Sequence, residues 1–67
     1  MIVVLSDGDH KGNMYEIDDN SEIGARIPVH TPADPFYMYH EYILMPAETV
    51  LGERMAKFLQ AVPRVRK

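Results

Sequence analysis

The sequence predicts an α+β domain: a three- or four-stranded antiparallel meander with one C-terminal helix packed on it. Residues 1–45 break into short β-branched and aromatic runs separated by clusters of Gly, Pro, Asp and Asn. Residues 47–62 repeat their apolar positions at helical spacing. The chain has 67 residues, 46% of them apolar and 25% charged, which suits one small globular domain spanning 1–67. A sheet of that size needs an amphipathic partner to finish its core, and the C-terminal stripe offers one.

Ile2-Val3-Val4-Leu5 is an apolar run suited to an inner strand over residues 2–5. Ser6 to Asn13 follows with two glycines and dense turn chemistry, and residues 14–18 resume a strand, so the two form a hairpin. A third strand is expected over 23–29, where Ala25, Ile27 and Val29 alternate with Arg26 and Pro28. Pro28 has no N–H for a ladder, which makes this strand an edge or bends it. A loop stiffened by Pro32 and Pro35 leads to the longest aromatic run, a strand over 36–45. One of its faces carries Phe36, Met38, His40, Tyr42 and Leu44; the other carries Tyr37, Tyr39, Glu41, Ile43 and Met45.

The helix is expected over 47–62. Pro46 suits its opening, Glu48 its first turn, and Leu51, Met55, Phe58, Leu59 and Val62 form the core stripe. Gly52 is out of place there, at about 1 kcal/mol against alanine. Pro63 ends the helix, and 63–67 is read as a basic tail.

Charge is strongly polarised. Residues 1–53 hold all ten acids with only Lys11 and Arg26 as bases, a net of −8. Residues 54–67 hold five bases and no acid, a net of +5, and the whole chain stands at −3. Such a layout orients approach to a charged partner, or lets the tail lie over the acidic body.

Chemistry-bearing motifs are few. Asp7-Gly8-Asp9-His10-Lys11-Gly12 begins like a calcium loop, but Lys11 stands where an oxygen ligand belongs and Asp18 where a bidentate glutamate belongs. A hairpin turn accounts for the same residues. His10 and His30 are expected at solvated turns and strand ends, and His40 as a partly buried ring with one satisfied nitrogen. No spacing among them suggests a metal site. Ser6 and Ser21 lie in turns without a nucleophile elbow, and Asp18 and Asp19 point to opposite faces. With no cysteine, disulfides and thiolate chemistry are excluded too. The expectation is therefore no enzyme, no cofactor and no metal. Tyr37, Tyr39 and Tyr42 are the expected partner-binding residues on the strand, with Arg64, Arg66 and Lys67 on the tail.

The segment Ser6-Asp7-Gly8-Asp9-His10-Lys11-Gly12-Asn13-Met14-Tyr15-Glu16-Ile17 resembles the opening of short uncharacterised proteins of actinobacterial phages. Those begin with a strand, a Gly-Gly-Pro-x-Asp-Gly-x-x-Tyr-x-Val hairpin and then a segment similar to Ile23-Gly24-Ala25-Arg26-Ile27-Pro28-Val29. Gly8, Gly12, Tyr15 and Ile17 match. Asp7, Asp9 and Lys11 replace the first glycine, the proline and the aspartate. The likeness covers residues 1–30; it implies a phage origin and carries no activity.

The expected function is accordingly a small, non-enzymatic phage-type accessory protein that binds and modulates a host or viral protein. One version is a nucleic-acid mimic working through Asp7, Asp9, Asp18 and Asp19. The alternatives are a virion structural component, for decoration or minor assembly, and a small nucleic-acid-binding regulator using Arg64, Arg66 and Lys67. The partner is expected to be a protein rather than nucleic acid or membrane, with a homo-oligomer left open. The expected location is host cytoplasm or virion, without secretion.

Overall fold

The computed structural model describes residues 1–65 and, among them, contains five strands and no helix. These are β1 (Ile2–Leu5), β2 (Met14–Glu16), β3 (Arg26–His30), β4 (Tyr37–Glu48) and β5 (Arg54–Pro63). They form one mixed sheet in the order β2-β1-β5-β4-β3, curled into half a barrel. The β1–β2, β3–β4 and β4–β5 pairs are antiparallel, whereas β1 and β5 run parallel, with Val3, Val4 and Leu5 opposite Arg54, Met55 and Ala56.

The expected α+β meander is thus corrected to an all-β sheet. Residues 47–62 do not form a helix; most of them are β5, which inserts between β1 and β4. The reason lies in β4. Its middle residues, Tyr39 to Met45, are buried or half-buried on both faces, so it needs a ladder on each side rather than a helix on one. β5 supplies the second ladder. The apolar stripe fits a strand once one residue is set aside: Ala56 and Phe58 face the core, Lys57 faces out, and Leu59 is a bulge between the Tyr42–Phe58 and Glu41–Gln60 pairs. Gly52, awkward in a helix, has φ +82° in the β4–β5 turn. Helix-like spacing in residues 51–62 arose from a bulged strand.

The other boundaries shift less. The strand expected at 14–18 is confined to Met14–Glu16, that at 23–29 moves to Arg26–His30, and that at 36–45 extends through Pro46 to Glu48. Pro46 is accommodated because the register is irregular between Leu44 and Glu48. Pro63 closes β5, so the expected tail is strand at its first residue.

Pro28 sits on β3, which is an edge of the sheet. Ala25 and Thr31 use their backbone groups toward β4, at 2.9 Å to Leu44 and 3.1 Å to Met38. The two-residue alternation of an antiparallel ladder then turns Arg26, Pro28 and His30 outward. Pro28 deletes the central outward donor and blunts the edge.

The core lies on the concave face and comprises Val3, Leu5, Ile27, Val29, Tyr42, Leu44 and Ala56. Each large side chain buried there contributes about 1.5–3 kcal/mol. The molecule measures 43 × 21 × 16 Å, elongated in keeping with the long β4–β5 hairpin.

Candidate interaction surface

Two places gather side chains the core does not use up. The first is the β4–β5 turn. Thr49 N–H donates to the Glu53 carbonyl at 2.8 Å, and Gly52 N–H to the Thr49 carbonyl at 2.9 Å. The Thr49 hydroxyl accepts from Leu51 and Glu53 N–H at 3.3 and 3.2 Å and reaches Glu53 Oε1 at 3.4 Å. Gly52 in the left-handed region completes a three-residue hairpin loop. This turn is well tied, yet Val50 and Leu51 at its apex are 103% and 82% exposed. Glu48 and Glu53 flank them.

The second place is an aromatic cluster on the concave face, roofed by the β1–β2 loop. His40 contacts Tyr37, Phe58 and His10 with ring centres 5.8, 6.0 and 4.9 Å apart. Tyr42 stacks edge-on against Phe58 at 5.5 Å. The loop is fastened down at several points. Phe58 N–H donates to Asp7 Oδ1 at 2.6 Å, the Tyr42 hydroxyl donates to the Asp7 carbonyl at 2.8 Å, and Ser6 N–H donates to the Ala56 carbonyl at 2.8 Å. Gly8 is needed at φ +76° because a Cβ there would lie 2.7 Å from the Tyr42 hydroxyl and 3.1 Å from Phe58. Burial is the main cause that pushes the Tyr42 hydroxyl above its ordinary pKa; Asp7 and Asp9 add to it, and the His10 N–H opposes.

The structure separates the residues expected to bind together. Tyr37 is exposed, at the start of β4 beside Phe36 and Met38. Strict alternation would place it with Tyr39, but a register shift between the two turns Tyr37 toward His40. Tyr39 lies on the outer face, half-buried against His30 at 5.7 Å. Tyr42 is fully buried, so its ring belongs to the core and is closed to a partner. Arg64 is turned inward: its guanidinium donates to the carbonyls of Asp34, Thr31 and Pro32 at 2.7, 2.8 and 3.1 Å. Arg66 and Lys67 lie outside the described residues.

His10 and His40 also differ from expectation. His10 is not a solvated turn residue, since its Nε2 is buried without a partner. His40 is 4% exposed, and its Nδ1 is likewise unpartnered. His30 is exposed. Among the described residues no three potential metal ligands come together. Of the acids proposed as a charge array, Asp7 is spent on the loop, Asp18 bonds Asn20 N–H at 3.0 Å, and Asp19 pairs with the Met1 ammonium. On the outer face Glu41 accepts from Arg26 and Gln60 at 3.2 and 3.0 Å.

Sequence reasoning missed the turn at Val50–Leu51 and the pairing of His10 with His40. Thr-Val-Leu-Gly carried a signal for the turn, a glycine that no helix wants. Nothing local marked the histidines, which meet through the sheet.

Comparisons with models of protein families, with curated proteins and with solved structures returned no match. The phage origin and the host-interaction reading therefore have no support.

Proposed function

We propose that this chain is a small binding module that acts by occupying a surface on a partner protein, led by the tip of the β4–β5 arm. The observation that carries this reading is the display of Val50 and Leu51. Two large apolar side chains stand fully in water at the end of an elongated molecule, on a turn closed by five hydrogen bonds. Solvation of such a pair is unfavourable, and the turn leaves little conformational entropy to lose on docking. Glu48 and Glu53 beside it, with Arg54 opposite Glu48, ring the apolar pair with charge and favour an apolar pocket with a polar rim.

Growth by strand addition is less favoured. Pro28 blunts one sheet edge and the other, β2, is three residues long. The role is accessory rather than catalytic.

The experiment is site-specific photo-crosslinking in a lysate of the producing cell. A photoreactive residue replaces Leu51 in one preparation and Glu16, on the far edge strand, in another. The expected result is a single protein adduct from position 51 and none from position 16. Excess unlabelled wild-type chain should suppress the adduct, and a V50S/L51S chain should not. Equal adducts from both positions, or equal competition by V50S/L51S, would overturn the reading.

A further inference from the structure

We propose that His10 and His40 form a proton-operated latch that holds the 6–13 loop on the concave face when neutral and releases it when both are protonated. The two rings sit 4.9 Å apart at 88°, one on the loop and one on β4. Each has a nitrogen that is buried and without a hydrogen-bond partner, His10 Nε2 and His40 Nδ1. Neutral rings tolerate this contact. Two imidazolium cations at that separation, with those two nitrogens out of water, repel each other.

The two sides of the contact are not equally free to yield. His40 lies mid-ladder, opposite Val29 on β3 and Ala61 on β5. His10 sits at the tip of a loop whose firm ties to the sheet are at its base, Asp7 to Tyr42 and Phe58 and Ser6 to Ala56. At the tip the bonds are two short-range turns, Lys11 N–H to the Gly8 carbonyl at 3.2 Å and Asn13 N–H to the His10 carbonyl at 3.0 Å. One long bond joins the tip to the sheet, His10 N–H to the Tyr42 hydroxyl at 3.4 Å. Relief of the repulsion therefore moves the loop. The sheet beneath stays paired.

The charged and titratable groups around the pair come from four directions. The loop itself carries Asp7, Asp9 and Lys11. β4 presents Tyr37 and Tyr42. The β3–β4 loop brings Asp34, whose carboxylate feels both His40 and Arg64. β5 adds only the uncharged Phe58 ring and Ala61. Asp34 can compensate one proton on His40, although Arg64 competes for it; on the His10 side stand Asp9 and Asp7, the latter already held by Phe58 N–H. Release would uncover the Tyr42, Phe58 and His40 side chains, an aromatic floor that the closed loop hides. The latch thus governs access to a face distinct from the arm tip.

The test is amide hydrogen exchange, expressed as protection factors, on the full chain at about pH 8 and about pH 5, where imidazoles take up protons. The reporters are Gly12 N–H, bonded to the Leu5 carbonyl, and Phe58 N–H, bonded to Asp7 Oδ1. In the wild type both should lose about tenfold or more of their protection at the lower pH, while amides of the β4–β5 ladder keep theirs. His10→Gln, on the loop and leaving the core intact, should abolish the pH dependence, and His40→Gln should do the same if it folds. Unchanged protection in the wild type, simultaneous loss across the β4–β5 ladder, or an unaltered pH dependence in His10→Gln would each overturn the latch.

Discussion

The Tyr42 hydroxyl donates to the Asp7 carbonyl at 2.8 Å, joining residues 35 positions apart and fixing the β1–β2 loop to the centre of the sheet. The same oxygen accepts from His10 N–H at 3.4 Å. Tyr42→Phe keeps the ring and leaves both backbone groups unpartnered. It should cost about 1–2 kcal/mol. In a domain of this size that lowers Tm by roughly 5–15 °C. The alkaline limb should change as well. The hydroxyl's folded pKa lies above its ordinary value of 10.0, so its contribution is intact below that pH and lost as pH rises through the folded value. Tyr42→Phe should flatten that limb in denaturation curves taken between neutral and strongly alkaline pH.

Arg64 is a staple for the β3–β4 loop. Its planar fork takes three carbonyl oxygens, and its backbone N–H donates to the Phe36 carbonyl at 3.0 Å. Arg64→Ala should destabilise by about 1–2 kcal/mol in urea titration. Arg64→Lys should recover little, because an ammonium cannot reach carbonyls in that fork geometry. Full recovery by lysine would mean that charge alone matters at this position.

Asp34 Oδ1 accepts from Phe36 and Tyr37 N–H at 2.8 and 3.1 Å. Those two bonds hold its carboxyl below the ordinary 3.8, with His40 and Arg64 adding to the effect. A depressed folded pKa contributes stability that is present above the unfolded value and lost as pH falls through the folded one. The Phe36 and Tyr37 amides should therefore keep their protection through the ordinary carboxylate range and lose it only at pH below 3.8. Asp34→Ala should remove that protection at every pH. Loss near neutral pH in the wild type would contradict this assignment.

Strand segments in the first half of the chain were legible because their signals are local. Turn clusters mark the ends of β1 and β2, and Pro28 marks an edge strand through a missing donor. The second half was misread for a physical reason. Residues 51–62 satisfy helical periodicity, but that periodicity counts Leu59, which a bulge removes from the strand alternation. What decides between the two is the need of β4 for a second ladder, a non-local demand that no window of β5 displays. Gly52 was the one local dissent. The candidate sites followed the same division. Tyr37 is exposed and Tyr39 half-buried, parted by a register shift, and Arg64 looked free only because its acceptors are backbone carbonyls 30 or more positions away.

Gly52→Ala is the measurement that bears most directly on the central claim, that residues 37–63 form a hairpin arm displaying Val50 and Leu51 at its turn. At φ +82° an added Cβ meets no close atom, the nearest being Glu48 Oε2 at 3.9 Å, so backbone strain decides the outcome. Alanine there should destabilise by about 1–2 kcal/mol in chemical denaturation, with asparagine tolerated better. A helix over 47–62 would respond with the opposite sign, gaining about 1 kcal/mol from the same substitution. Stabilisation by alanine would contradict the hairpin and, with it, the binding tip.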